Sequence, residues 1–231
     1  MTTRTWQFAW TSEPERPAAA VLVLHGGQER SRHRARWRHV AALRMVPFAR
    51  AVAAGGQGQV AVARLLHTVR GWNGDEASPV ADAREALAEL RSRHPGIPLG
   101  LLGHSMGGRT ALHVADEPGV AVVVGLAPWV ARGDLPRGGP GLRVLLMHGT
   151  RDRITSPKAT RWMARELGTL GVDVTWRPIP GAGHALLRFA RRWHREAAAF
   201  LVQGLLGPPP ERRDAEGTTS RDPEPDPTNC A

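Results

Sequence analysis

Ser105 lies in the stretch GLLGHSMGGR, residues 100–109, with a glycine two positions before it and two after it. A serine hydroxyl is a poor nucleophile until a base takes its proton and a third group holds that base. Candidates for both lie further along the chain. His184, in PGAGHALL, follows the last apolar run in a small glycine-rich loop and opens a helical pattern over 184–203. Asp152, in RVLLMHGTRDRITSP, stands just past another apolar run and before Ser156 and Pro157, which read as a helix start. Asp173, inside a strand pattern, competes for the acid's place, and Asp134, in the loop after the preceding strand, is held in reserve. Among the 10 histidines, His25 belongs to another element and His104 points the wrong way in the serine turn. His148 ends its own strand, and His113 and His194 sit inside helices.

Attack on a carbonyl also requires backbone N–H groups already aimed at the oxyanion. Such donors show in a sequence only as glycine-rich turns in the right place. VLVLHGGQ supplies one after the first long apolar run, so the N–H of Gly27 or Gln28 can face the serine beside the N–H of Met106.

These groups must be positioned by regular elements. Short runs rich in Val and Leu at 20–24, 60–65, 98–102, 120–125, 143–147 and 172–176 have the length and composition of buried parallel strands. Helical patterns fit between them, at 40–54, 78–94, 106–116, 157–168 and 184–203. The clearest, 78–94, has Ser78 as N-cap, Pro79 at the first position and Val80, Ala83, Leu87 and Leu90 on one face. Strands alternating with helices predict an α/β fold, with a mostly parallel central sheet covered by helices on both faces. Ser105 then falls in a strand-to-helix turn so tight that side chains at 103 and 107 would collide across it. Such turns put a side chain at the carboxyl end of the sheet, where open α/β folds place ligands.

In order along 5–203, LHGG, GHSMGG, HGTRD and GAGH resemble the α/β-hydrolase family. The resemblance implies Ser105 as nucleophile, His184 as base, Asp152 as the acid orienting it, and Gly27 with Met106 as oxyanion donors. The chain order Ser, Asp, His is that family's. Many relatives insert a helical cap after the nucleophile helix, but only LAPWVARGDLPRGGPGL, 126–142, is available for one here. A cap-less, open site is expected, with Trp129 as a wall of the substrate site.

The implied activity is a serine hydrolase cleaving a carboxylic ester or thioester of a small acyl substrate through an acyl-enzyme. It calls for no metal or organic cofactor. Amide or peptide cleavage by the same groups is the alternative within enzymes, and a non-catalytic polyanion-binding protein the alternative outside them.

Composition bears on the last. The formal charge is +10, and Lys158 is the only lysine among 31 basic residues. The densest run, RSRHRARWRH at 30–39, lacks zinc-ligand spacing, an RNA-binding aromatic strand or a helix-turn-helix pattern, so no specific nucleic-acid partner is expected. It reads either as a solvated basic face or, if it rims the site, as an attractor of anionic substrates. The one cysteine, Cys230, excludes an intrachain disulfide. AAAVLVL is too short to span a bilayer, and the expectation is a cytoplasmic protein with no membrane partner. Residues 1–206 read as one domain and 207–231, rich in Pro and charge, as a disordered tail.

Overall fold

A computed structural model of the protein describes residues 6–207; the expected tail lies, apart from Gly207, outside the described residues. Seven strands form one sheet in the order β1-β3-β2-β4-β5-β6-β7. The six that the apolar runs announce are β2 (Ala19–Leu24), β3 (Val60–Leu66), β4 (Leu99–His104), β5 (Val120–Leu126), β6 (Arg143–Gly149) and β7 (Asp173–Ile179), and neighbours among them pair in parallel. The seventh, β1 (Gln7–Ser12), was not among the expected strands. It pairs antiparallel with β3 at the sheet edge and lays Phe8 and Trp10 against the core.

Alternation along each strand divides the interior into two apolar layers. Ala20, Leu22 and Leu24 of β2 join one, beneath α3 (Ser78–Arg93), α4 (Met106–His113) and α5 (Pro157–Thr169). Ala19, Val21 and Val23 join the other, beneath α2 (Val46–Gly55) and α6 (Ala190–Leu206). The sheet is therefore helix-covered on both faces, as buried parallel strands require. In β4, Gly100 leaves room for α6: a Cβ there would stand 2.9 Å from Leu205 and 3.0 Å from Leu201.

Three helical expectations change. The pattern over 40–54 breaks at Met45 into α1 (Val40–Arg44) and α2, because Pro47 has no N–H to offer the preceding turn. Helix α3 opens at Ser78 itself, after Ala77 in a left-handed conformation, and the Ser78 hydroxyl donates to Glu76 instead of capping. Helix α6 begins at Ala190, not at residue 184. Between them the chain turns through positive φ at Leu186 and Phe189. His184 is thus left on a loop, its carbonyl free of helical hydrogen bonding.

No helix interrupts 127–142 between β5 and β6, so no helical cap stands there. No helix among the described residues is long and apolar enough to cross a membrane.

Candidate active site

Strand β4 ends at His104 and α4 begins at Met106, leaving one residue for the turn. Ser105 adopts φ 56° and ψ −117°, a conformation costly for a residue with a Cβ. The surroundings over-determine it. Its N–H donates to Leu126 O at 3.0 Å, and its carbonyl accepts from Arg109 and Trp129 N–H, each at 3.0 Å. A Cβ on residue 103 would overlap the Gly107 backbone, and one on 107 would overlap the Leu24 carbonyl. This is the mechanical reason for both glycines.

The structure brings Ser105, His184 and Asp152 into one hydrogen-bonded line. His184 Nε2 lies 3.0 Å from Ser105 Oγ, and His184 Nδ1 lies 2.8 Å from Asp152 Oδ2. Ile154 N–H at 2.8 Å and Thr155 N–H at 3.0 Å donate to Asp152 Oδ1, and the Thr155 hydroxyl donates to Oδ2 at 2.9 Å. Burial alone would raise the Asp152 carboxyl; the bonds from Thr155, His184 and Ile154 outweigh it and hold the group below the usual carboxylate range.

The other two acids are occupied elsewhere. Asp134 takes both nitrogens of the Arg109 fork, at 2.6 and 2.9 Å, and a bond from His113 at 3.1 Å. Asp173 sits at the opposite, amino end of β7, paired with Arg143 at 3.2 Å.

Sequence reasoning passed over three histidines that surround the line. His148 Nδ1 accepts from the Thr160 hydroxyl at 2.8 Å, and its Nε2 lies 3.1 Å from Asp152 Oδ2. Burial lowers His148 to about 4 against the opposing pull of Asp152, so the ring is neutral and its Nε2–H donates. His104 Nε2 lies 3.0 Å from the His184 carbonyl. Burial, followed by the nearby His184, lowers His104 to about 3, so its N–H tethers the loop carrying His184. His25 Nδ1 lies 2.7 Å from Gly26 O and is likewise neutral, lowered to about 3 by burial and then by His67. A trans peptide sets its C=O and N–H in opposite directions. Holding the Gly26 carbonyl therefore fixes the Gly27 N–H. All three are visible only as contacts between distant segments; no spacing signals them.

Of the two expected donors on the turn after β2, Gln28 has its N–H already taken. Gln28 N–H donates to Arg70 O at 2.8 Å, whereas neither Gly27 N–H nor Met106 N–H meets a backbone acceptor among the described residues. A Cβ on Gly27 would run into Arg70 O and the Met106 side chain.

Gly27, Gln28, Glu29, Ser105, Trp129, Ile154 and Thr155 line a cleft of about 210 Å³. Trp129 is half-buried there. Arg109 lies over its ring at 4.6 Å and over that of Trp72 at 3.8 Å, a pair of cation–π contacts from two near-perpendicular rings, with Asp134 anchoring the guanidinium.

Comparison with known proteins agrees with this architecture. The family model described as serine aminopeptidase, S33, matches residues 15–140. No curated protein matches the sequence. Among solved structures, the chain is similar to a monoacylglycerol lipase from Paleococcus ferrophilus, with 18% identity, TM-score 0.62, and 86% of this chain and 99% of that one covered. It is similar to XC6422 from Xanthomonas campestris, described as a serine hydrolase without lid, at 22% identity and TM-score 0.64 over 86% and 88% of the two chains. Thermogutta terrifontis esterase 2, solved phosphonylated by cyclosarin, gives 19% identity and TM-score 0.67 over 88% and 91%. At these identities the structural likeness speaks for the fold, and the family match covers more than half of the chain. The chain belongs to the serine aminopeptidase S33 family and carries the α/β-hydrolase fold without a helical cap.

Proposed function

We propose that the protein is a serine hydrolase that cleaves a small carboxylic ester or thioester through an acyl-enzyme. The observation that carries this reading is the unbroken line from Ser105 Oγ through His184 to Asp152, at 3.0 and 2.8 Å, beginning on a strained turn at the sheet's carboxyl end. His184 Nε2 takes the Ser105 proton as the oxygen attacks the carbonyl carbon. The oxyanion accepts hydrogen bonds from Gly27 and Met106 N–H, and the positive end of α4 faces it. Collapse breaks the bond to the leaving alcohol or thiol, which takes the proton from His184. Water then gives a proton to the same nitrogen and attacks the acyl carbon; the bond to Ser105 Oγ breaks as His184 returns that proton to it, releasing the acid and the free hydroxyl. Asp152 remains an anion throughout, holding the tautomer with Nδ1–H toward itself. Trp129 walls the cleft, and a small acyl group suits its volume of about 210 Å³.

The test is labelling by a fluorophosphonate, together with turnover of 4-nitrophenyl esters of increasing chain length. Labelling and turnover that both vanish in Ser105→Ala support the reading, as does a kcat/KM greatest for about C2 to C6 acyl groups. Turnover undiminished in the variant overturns it.

A second reading is favoured by Glu29, an exposed carboxylate lining the same cleft as Ser105. It offers a partner to the ammonium of an aminoacyl substrate, in keeping with the family's description as aminopeptidases. Aminoacyl 4-nitroanilides cleaved faster than their N-acetylated forms, with the difference lost in Glu29→Gln, would favour this reading.

A further inference from the structure

A second cavity, of about 360 Å³, opens on the turn after β2. It is lined by His25, Gly26, Gly27, Gln28, Arg38, His39, Val40, Ala41 and Arg70. Gly27 and Gln28 line the serine cleft as well, so one turn forms a wall of both spaces. The two differ in charge. The serine cleft contains Glu29, whereas the second cavity holds two guanidinium groups and the imidazoles of His25 and His39, with no carboxylate among its lining residues.

Some arginines of this basic chain find acids, Arg32 with Glu76, Arg84 with Glu117, Arg109 with Asp134 and Arg192 with Glu196, while others, such as Arg161 on the outer face of α5, stand alone in solvent. Arg38 and Arg70 form no ion pair among the described residues. Their convergence registers on His39, whose imidazolium is disfavoured by burial and then by Arg70, Arg38 and Arg36. Like charges gathered around a concavity without a counter-charge leave unmet demand for an anion.

The site is also built on fixed backbone. Arg70 O accepts from Gln28 N–H at 2.8 Å, Arg70 N–H donates to His33 O at 3.0 Å, and Trp72 N–H donates to Gln28 O at 2.9 Å. The segment carrying Arg70 is thereby tied on one side to the turn bearing Gly27 and on the other to the arginine-rich stretch. These bonds fix where the Arg70 side chain leaves the backbone, and its guanidinium fork suits the paired oxygens of a carboxylate or phosphate.

We infer that the cavity lined by Arg38, His39 and Arg70 is a subsite for an oxyanionic group on the substrate, so that the enzyme prefers esters bearing a carboxylate or phosphate beyond the scissile carbonyl. The inference rests on the hydrolase reading above. The substrate straddles the Gly27–Gln28 turn, its carbonyl against Ser105 and its anion against the two arginines.

The test compares matched esters at low ionic strength: 4-nitrophenyl hydrogen glutarate against 4-nitrophenyl valerate, and 4-carboxyphenyl acetate against its methyl ester. The first pair puts the anion on the acyl side and the second on the leaving group; a phosphonate in place of the glutarate carboxylate separates the two oxyanions. At least one anionic ester should exceed its neutral partner about tenfold in kcat/KM, chiefly through KM. Arg38→Gln and Arg70→Gln should each collapse that ratio, and 0.5 M salt should compress it. Arg161→Gln, which removes the same charge from the outer face of α5, should leave the ratio unchanged. Neutral esters turned over through Ser105, with no anionic preference or with one that Arg161→Gln reduces equally, would overturn the subsite and leave the hydrolase reading standing. No turnover of any ester and no fluorophosphonate labelling would overturn both.

Discussion

His148 and Asp152 share a buried hydrogen bond, Nε2 to Oδ2 at 3.1 Å, on the same oxygen that His184 Nδ1 approaches at 2.8 Å. One carboxylate thus serves two imidazoles, and only His184 also reaches Ser105. Asp152→Asn should lower ester kcat by about 10³- to 10⁴-fold, because the amide favours the wrong His184 tautomer. His148→Gln should cost about tenfold or less and keep fluorophosphonate labelling, since Thr155 and Ile154 still hold the carboxylate. Steady-state kinetics on the two purified variants ranks them. The opposite ranking would make His148 the more important partner.

Gly27→Ala tests the oxyanion donor separately from the nucleophile. Its methyl group would meet Arg70 O and the Met106 side chain, displacing the N–H from the cleft. We expect a loss of about 10²- to 10³-fold in kcat with a smaller change in KM. Ser105→Ala should lose about 10⁴-fold or more, and because alanine keeps the Cβ and the same turn, its melting temperature should stay close to that of the parent. A Gly27→Ala enzyme with full kcat would assign the donor elsewhere.

Acid should unfold the protein in two stages. His25 and His104 are lowered to about 3 and His148 to about 4, against an ordinary value of 6.5. Between those values and 6.5 the unfolded chain binds more protons, so stability falls as pH drops through this window, by up to about 1.4 kcal/mol per pH unit for each imidazole. Asp152 acts lower down: its contribution is present above the usual carboxylate range and is lost as pH falls below it. Urea midpoints should therefore decline from about pH 6.5 and steepen near pH 4. His104→Gln should flatten the upper part of the decline; an unchanged slope would count against a neutral, buried His104.

Asp134 and Asp152 are told apart by what their loss disturbs. Asp134→Asn weakens a pair buried to 11% and 6% side-chain exposure, between Arg109 and Asp134, and loosens the guanidinium packed on Trp72 and Trp129. It should cost about 3 kcal/mol of stability, read as a melting temperature lower by roughly 6–12 °C, with a raised KM and kcat within about tenfold. A kcat loss matching that of Asp152→Asn would return Asp134 to contention for the acid's role.

Six strands were legible because buried parallel strands leave continuous apolar runs such as AVLVL and VAVVVG. Strand β1 was not, since QFAWTS is short, lies half-exposed at an edge, and owes its pairing to residues of β3 that are 50 or more positions away. Ser105 showed itself through Gly103 and Gly107, whose need for a missing Cβ is local. Asp152 and His184 were readable from their places after strand ends, but the choice among acids was not. It depends on Arg109 claiming Asp134, a contact between α4 and the loop after β5. Nor could a sequence show that Arg70 O consumes the Gln28 N–H, or that His25, His104 and His148 brace the site, because each bond joins backbone or rings whose alignment exists only after folding.

Ser105 and His184 are 79 residues apart along the chain, and the histidine follows β7, the outermost strand on its side of the sheet. At a synthesis rate of about 5–20 residues per second, the serine leaves the ribosome roughly 4 to 16 seconds before its base. During that interval the hydroxyl has no proton acceptor, and a chain arrested before β7 would never gain one. Hydrolytic power on this reading comes only after β7, the last strand among the described residues, has been made, so copies cut short before it cannot attack the esters around them.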